Sequence, residues 1–192
     1  MSKLSLHTSD FLSDESLMQR IASGNKEAFT CLYHRYAKKL CQYADSYLNN
    51  NTQSEDIVQE VFIRVFQTPE KFNTEKRFST WIYTLTTNLC KNALRHHQVK
   101  SLHAHFNAQQ LINSHHAPQH RLHVNDLQQQ LEATFNSLNE KQQQLFILRF
   151  EQTLSLKEIA AILQIPEGSV KSGIFYLLKK YNSLIQFYSH AI

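Results

Sequence analysis

Glycine and proline are scarce in this chain of 192 residues, which contains only 3 of each. Average usage of about 7% glycine and about 5% proline would supply roughly 23 of them. Strands joined by tight turns need these residues, because glycine supplies positive φ angles and proline preorganises the turn. A β-sandwich, a barrel or a glycine-rich nucleotide-binding fold is therefore disfavoured, and the sequence predicts an all-α fold.

The composition is that of a folded chain with a mild positive charge. Hydrophobic residues make up 42% of the sequence and charged residues 19%, and the net charge is +4. That excess is compatible with a polyanionic partner. No apolar run is long enough to span a bilayer, and the start MSKLSLHTSDFLSDES carries acids where a signal peptide needs an apolar stretch. We expect a cytoplasmic protein with no membrane insertion.

Cysteine and histidine do not form a recognisable metal site. Cys31, Cys41 and Cys90 are widely spaced, so we expect core thiols, with reversible oxidation as the alternative. Of the 11 histidines, 8 lie between residues 96 and 123. No carboxylate or cysteine stands beside them at ligand spacing, and composition alone is a weak signal. We expect neither a metal nor a cofactor.

Apolar periodicity divides the N-terminal half into four helices. Gly24 can end the first helix in the left-handed conformation, and Asn25 can cap the second. The third opens with Thr52 and Glu55 at capping-box spacing. Opposite its apolar stripe it carries an acidic face with one isoleucine, which indicates either a docking surface or a solvated face. The residues of this face are Asp56, Gln59, Glu60 and Ile63.

The fourth helix follows a loop that carries Phe72. Trp81 lies at the edge of its inward stripe, and its outer face combines hydroxyls with cations. Such a face suits a nucleic-acid strand, because hydroxyls and cations contact phosphates and aromatic rings stack on bases. An ordinary polar helix face is the alternative. The residues of the outer face are Thr80, Thr84, Thr87, Lys91 and Arg95.

The period is lost over residues 98–125, which predicts a flexible linker between a domain at 1–97 and a second at 126–192. In the second domain Ser155 and Glu158 form a capping box, and Pro166 begins the next helix after a short turn. Two helices joined in this way form a helix-turn-helix, with a plain helical hairpin as the alternative. The exposed face of the second helix comprises Ser169, Lys171, Ser172, Phe175, Tyr176 and Lys179.

Charge is distributed unevenly between the domains. Residues 1–97 hold 12 cations and 10 anions, whereas residues 126–192 hold 6 of each. A repressor domain that acts alone usually carries a basic footprint. We therefore expect the helix-turn-helix to need a partner that supplies the rest of its affinity for duplex DNA.

The combined pattern resembles the extracytoplasmic function sigma factors of bacterial RNA polymerase. SLMQRIASGNKEAFTCLYHRYAKKL is similar to the start of sigma domain two, and SEDIVQEVFIRVF to the segment that docks on the β′ clamp helices. RFSTWIYTLTTNLCKNALR is similar to the helix that opens and holds the minus-ten element. LSLKEIAAILQIPEGSVKSGIFYLLKKY is similar to the domain-four helix-turn-helix that reads the minus-thirty-five element. Their order and spacing also match.

The resemblance implies partners and roles for individual residues. It implies binding to core RNA polymerase, through the β′ clamp helices and the β flap, and to promoter DNA, with an anti-sigma factor as a further candidate partner. The polymerase-docking residues would be Asp56, Gln59, Glu60 and Ile63. The minus-ten residues would be Phe72, Ser79, Thr80, Trp81, Tyr83, Asn88, Lys91 and Arg95. The minus-thirty-five residues would be Ser169, Lys171, Ser172, Phe175, Tyr176 and Lys179.

Several positions depart from the family pattern. Asn139 stands where proline is usual and Thr153 where glycine is common, and Gly173 and Tyr176 stand where arginines are typical. Because glycine lowers helix propensity, we expect Gly173→Arg to strengthen its helix and tighten duplex binding. A regulator that binds duplex DNA alone and a histidine-metal hydrolase remain the competing functions.

Overall fold

The computed structural model describes residues 12–104, 131 and 133–189, and every regular element in these residues is helical. The α-helices are α1 (Asp14–Ala22), α2 (Lys26–Leu48), α3 (Asn51–Gln67), α4 (Phe78–Ala104), α5 (Glu140–Phe146), α6 (Leu156–Leu163) and α7 (Glu167–Ser189). A short 3-10 helix at Pro69–Lys71 precedes α4, and a π-helical turn at Ile147–Glu151 follows α5. The predicted all-α fold is confirmed.

Side-chain caps fix where the N-terminal helices begin. The side chain of Asn25 accepts a hydrogen bond from the Ala28 amide at 2.7 Å at the start of α2. For α3 the capping residue is Asn50, whose side chain accepts from the Gln53 amide at 3.1 Å. The predicted capping box of Thr52 and Glu55 is therefore wrong, since the helix has already begun at those positions.

The N-terminal domain packs α1, α3 and α4 around the central helix α2. Its apolar stripes meet in one core, and the large side chains at its centre are fully buried. These are Leu17, Leu32, Leu40, Tyr43, Val61, Phe78 and Ile82. Burying a side chain of this size stabilises the fold by about 1.5–3 kcal/mol, so the core holds the outward faces of α3 and α4 in fixed orientations.

Helix α4 is longer than its hydrophobic period suggests. The sequence places the end of the first domain at residue 97, yet the helix continues to Ala104. The residues after Arg95 are mostly polar and form no continuous apolar stripe. They include no proline or glycine that would end a helix, so the helix continues. The predicted boundary at 98 therefore lies inside the helix, and the rest of the predicted linker, from 105 to 125, lies outside the described residues.

The C-terminal domain is built from α5, α6 and α7 around a small apolar core. Asn139 and Ser155 each form a complete capping box, with Gln142 and Glu158 respectively. Between α6 and α7 the chain turns at Gln164, which adopts the left-handed conformation with φ of 59°. Helix α7 then begins at Glu167, one residue after the predicted start at Pro166.

The two domains are in contact with each other. Helix α4 of the first domain packs along α6 of the second, and α2 packs against α5. The helix-turn-helix therefore lies on the side of α4 that the sequence predicts to face nucleic acid.

Candidate nucleic-acid and protein interfaces

The outer face of α3 is acidic and open to solvent. Asp56 and Gln59 are exposed, and 46% of Ile63 is exposed. Glu60 is half-buried and pairs with Arg64 one turn later, with 2.8 Å between carboxylate and guanidinium. On this face, the polar side chains of Asp56 and Gln59 are therefore open to solvent, and Ile63 provides an exposed apolar centre.

Two large apolar residues near this end of the domain, Phe66 of α3 and Tyr33 of α2, are exposed. Phe66 is 51% exposed and packs edge-on against Phe29, with 5.4 Å between ring centroids. Tyr33 is 42% exposed and lies against Phe62. Contiguous exposed apolar area of this kind is typical of a protein interface.

The residues predicted to contact a separated strand are divided between the surface and the core. Ser79, Thr80, Trp81 and Lys91 are half-buried, and Asn88 and Arg95 are exposed. These six side chains form a polar, cationic surface along α4 with one indole ring at its start.

Trp81 is held by an aromatic cluster. Its indole lies 5.4 Å from the ring of Phe72 and 5.8 Å from that of Phe78, centroid to centroid. The side chain of Phe72 itself is only 5% exposed. In this arrangement Phe72 supports the indole from below and does not offer a free ring face to a base, contrary to the sequence prediction.

Two further predicted orientations on α4 are wrong. Tyr83 is fully buried, with its ring 5.0 Å from that of Tyr43, and burial raises the pKa of its phenol. Thr87 is also fully buried, and its hydroxyl is hydrogen-bonded to Tyr43 at 2.9 Å. Both side chains contact Tyr43 of α2, and α4 also packs against α3 and α6, so its buried arc is wider than a single stripe.

The contact between α4 and α6 centres on Glu158. Its carboxylate accepts hydrogen bonds from the Thr80 hydroxyl at 3.1 Å and from the Arg77 guanidinium at 3.3 Å. It also accepts from the amide and hydroxyl of Ser155, at 2.8 and 2.7 Å. Burial raises the pKa of Glu158, but these hydrogen bonds together hold it below its usual value, so the carboxylate is charged at neutral pH.

A second group of contacts forms at the other end of α6. The Lys91 ammonium donates to the Leu163 carbonyl at 3.4 Å and to the Gln164 side chain at 3.2 Å. Gln164 in turn reaches the side chain of Asn88 at 3.5 Å. A cation at the C-terminal end of a helix is favourable, because the last carbonyls carry partial negative charge.

The second helix of the helix-turn-helix, α7, presents its predicted face to solvent. Phe175 and Tyr176 are 63% and 62% exposed and contact each other edge-on. The predicted residues of this face are all exposed: Ser169, Lys171, Ser172, Phe175, Tyr176 and Lys179. An exposed helix with cations, hydroxyls and aromatic rings has the composition of a helix that enters the major groove of DNA.

Both domains match families of transcription proteins. Residues 32–99 match sigma-70 region 2, and residues 128–180 match sigma-70 region 4. The chain is 30% identical to the ECF RNA polymerase sigma-E factor of Haemophilus influenzae, covering 91% of this chain and 96% of the relative. It is 29% identical to that of Escherichia coli K12, covering 93% and 97%. The chain belongs to the ECF sigma factors of RNA polymerase.

Solved structures share the fold of this sigma factor. A structure of CnrH in complex with the cytosolic domain of CnrY covers 90% of this chain and 97% of that chain at 21% identity, with a TM-score of 0.58. A sigma factor RpoE of Bartonella quintana, solved with the anti-sigma factor NepR, covers 82% of this chain and 96% of that chain at 19% identity, with a TM-score of 0.59. The three chains thus share one overall fold.

The family departures of this sigma factor have local structural consequences. Thr153 has a φ of 52°, a conformation that is costly for a β-branched residue and that explains why glycine is usual there. At Gly173 a Cβ atom would stand 2.5 Å from the Leu145 Cδ1 atom. The expectation that Gly173→Arg strengthens α7 stays a prediction, and the structure adds that the Leu145 side chain must shift to admit the new Cβ.

Metal-ligating groups do not cluster in residues 12–104, 131 and 133–189 of the sigma factor. The histidines from His105 to His123 lie outside these residues. Cys31 and Cys90 are buried and Cys41 is half-buried, and burial raises the pKa of the Cys90 thiol to about 12. None of the helices in the described part of the chain is long and apolar enough to cross a membrane.

Proposed function

We propose that this sigma factor initiates transcription through three separate surfaces, one for the polymerase and two for promoter DNA. The observation that carries the proposal is that the chain builds three different faces, two of them open to solvent and one, on α4, in contact with α6. They are the acidic and apolar face of α3, the polar face of α4 with Trp81, and the cationic, aromatic face of α7.

The α3 face is suited to a protein partner. Asp56 and Gln59 are exposed around the apolar centre of Ile63, the arrangement of a polar rim around a desolvated core. We assign this surface to the clamp helices of the polymerase β′ subunit. Glu60 contributes through its pair with Arg64, which orients both side chains along the same face.

The α4 face is suited to an unpaired strand. Ser79, Thr80, Asn88, Lys91 and Arg95 supply donors and positive charge for the phosphates, and Trp81 supplies a ring for a base. Stacking a base on an aromatic ring contributes about 1–3 kcal/mol, so a few captured bases offset the opening of several base pairs. The contributions of Phe72 and Tyr83 are indirect, through their packing beneath this surface.

The α7 face is suited to duplex DNA. Lys171 and Lys179 carry the charge for phosphate contacts, and Ser169 and Ser172 lie at the N-terminal part of the helix, which faces base edges in a helix-turn-helix. Because the domain has no net positive charge, its affinity depends on the polymerase that it is attached to, including contact with the β flap. The chain contributes no covalent chemistry of its own and works in the cytoplasm, where the polymerase and chromosome are.

An anti-sigma protein is the proposed regulatory partner. One solved relative in fold is bound to an anti-sigma factor. The apolar edge of the α3 face, with Phe66 and Tyr33 exposed, offers a surface for such a partner that overlaps the polymerase site. Overlap would make the two partners compete.

Run-off transcription tests the proposed function directly. Purified chain is added to core RNA polymerase over a fragment library of the host genome, and transcripts are mapped by their starts. We expect transcripts that require both the chain and the core polymerase. Their promoters should share sequence elements near positions minus ten and minus thirty-five. Absence of chain-dependent transcripts, together with tight binding of duplex by the chain alone, would favour a regulator that works without sigma activity.

A further inference from the structure

A cavity lies between α2 of the first domain and the aromatic residues of the second. Its volume is about 540 Å³, within the range of about 300–1,000 Å³ that is usual for small-molecule sites in proteins. Gln42 and Asp45 of α2 form one wall, and residues of the second domain form the rest. Small-molecule sites occur preferentially where two domains meet, so the cavity has both the size and the position of a ligand site.

The second domain lines the cavity with aromatic rings. Phe146 of α5 stacks on Tyr181 of α7, with 5.2 Å between the ring centroids and 22° between the ring planes. Phe135, in the helical segment at residues 133–136, meets the Phe146 ring edge-on at 5.4 Å. All three rings line the cavity and are half-buried. Because aromatic side chains are large, rigid and apolar, they form a wall on which the apolar body of a ligand can pack.

The charged side chains of the lining are acidic. Asp45 and Glu151 line the cavity, and no lysine, arginine or histidine does so among the described residues. Partial withdrawal from water raises the pKa of the Glu151 carboxyl, and the positive charge of Lys39 opposes this shift without cancelling it. A cation bound beside such a carboxylate stabilises its charged form. The charge of the cavity therefore favours a cationic ligand.

One residue of the lining has a polar group without a partner. The Tyr181 hydroxyl is buried and makes no hydrogen bond within the part of the chain that the structure describes. Burial without a hydrogen bond is unfavourable for a hydroxyl, and here it also raises the pKa of the phenol. Gln42 and Asn136 add amide groups to the same lining. The cavity therefore combines rings and carboxylates with a few hydrogen-bonding groups, as ligand sites do.

We propose that this cavity binds a small organic amine with an aromatic body. The ammonium group pairs with the carboxylates of Asp45 and Glu151, and the ring packs on Phe146 and Tyr181. The two acids disfavour an anion, and a hydrated inorganic cation would leave the rings without a contact. The ligand site is separate from the three proposed surfaces of the sigma factor and does not rest on the function assigned to them.

Three probes separate the contribution of the charge from that of the ring. Tryptamine carries an indole ring and an ammonium group, tryptophol has a hydroxyl in place of the ammonium, and butylamine has an ammonium and no ring. Isothermal titration calorimetry of the free, full-length protein at neutral pH measures each Kd. We expect a Kd of about 0.1–1 mM for tryptamine, a value that is reasonable for a ligand of this size. Tryptophol should bind about threefold to tenfold more weakly, and butylamine should not bind measurably.

Neutralisation of the two acids tests whether the cavity recognises the charge. Asp45→Asn with Glu151→Gln keeps the size of both side chains. This double variant should weaken tryptamine binding about threefold to tenfold and leave tryptophol binding unchanged. The matched control is Glu27→Gln with Glu70→Gln, which removes the same charge at exposed positions outside the cavity. Circular dichroism verifies helix content, and Asp45→Asn alone replaces a double variant that loses it.

Amide NMR spectra of the full-length protein locate the bound probe. The backbone resonances of Asp45, Ile147 and Glu151 should shift as tryptamine is added, with the Kd that calorimetry gives. The proposal is overturned if tryptamine does not bind at millimolar concentration, if tryptophol binds equally well, or if both double variants lose the same affinity. Shifts confined to residues outside the cavity would also overturn it. None of these measurements uses polymerase or promoter DNA, so their outcome is separate from that of the run-off transcription that tests the proposed function.

Discussion

The Leu145 Cδ1 atom lies 2.5 Å from the point where a Cβ atom would stand on Gly173. Leu145 is 2% exposed, so its methyl group would have to shift within the packed core to admit a side chain at position 173. Helix α7 therefore approaches α5 closely at Gly173, and a larger residue there requires Leu145 to move. This close approach positions the exposed face of α7 relative to the rest of the second domain.

Two glycines of the same helix should respond to alanine with opposite signs. Gly173→Ala should destabilise the second domain by about 1–3 kcal/mol, because overpacking outweighs the gain in helix propensity. Gly168→Ala has no atom within 4 Å of the new Cβ and should stabilise it by up to about 1 kcal/mol. Thermal unfolding followed by circular dichroism checks both. A stable Gly173→Ala variant would show that Leu145 can move aside.

Reversal of one charge on α3 should weaken polymerase binding without affecting the fold. Asp56 is exposed, so Asp56→Arg should cost about 2 kcal/mol of binding, or roughly thirtyfold in Kd, if it meets a complementary partner. Glu60 is less suitable, since its reversal would also disrupt its pair with Arg64.

The matched control for Asp56→Arg is Glu55→Arg, the same change at an exposed position about 100° away around the helix. Core polymerase is titrated with labelled sigma factor, and competition measures each Kd. The assignment of this face fails when both variants bind equally well, or when Glu55→Arg has the larger effect.

Removal of the indole ring from α4 should slow promoter opening more than initial binding. Trp81 lies half-buried on the aromatic rings of Phe72 and Phe78. Trp81→Ala should make promoter opening less favourable by about 1–3 kcal/mol, because stacking stabilises only the separated strand. Trp81→Phe keeps a ring and should recover part of the loss. Permanganate reactivity of minus-ten thymines reports opening, and gel shifts of holoenzyme on duplex report binding. Equal opening by all three proteins would reject a stacking role for Trp81.

Sequence patterns predicted the features that depend on residues close together in the chain, such as helix caps and exposed helix faces. The capping box of Ser155 and Glu158 and the left-handed Gly24 depend on residues at most a few positions apart, and both are as predicted. The exposure of Ile63 also follows from the helical period of its own helix. These features were enough to locate the helices, the turn of the helix-turn-helix and the outward face of α3.

The sequence pattern could not predict which residues far apart in the chain pack against each other. Thr87 and Tyr83 are buried against Tyr43 of α2, while α4 also packs against α3 and α6, and a single period cannot show how many neighbours a helix has. Glu158 was recognisable as a cap, but its contact with Thr80 joins residues 78 positions apart. Gly173 looked unfavourable by helix propensity, and its reason became clear only from the position of Leu145.

The buried hydroxyls of two neighbouring tyrosines should differ in what they contribute to stability. The Tyr43 hydroxyl is hydrogen-bonded to Thr87 at 2.9 Å and to Tyr47 at 3.2 Å, in the centre of the first domain. The Tyr83 hydroxyl is buried and has no hydrogen-bond partner among the described residues. Tyr43→Phe should therefore destabilise the chain by about 1–3 kcal/mol, because it leaves the Thr87 hydroxyl short of a partner. Tyr83→Phe removes an unsatisfied group and should be neutral or stabilising.

Urea unfolding of both variants beside the unmodified chain measures the difference. Equal destabilisation by the two substitutions would mean that a water molecule or another group satisfies Tyr83 in solution, and that the hydrogen bonds of Tyr43 are not what holds α4 against α2.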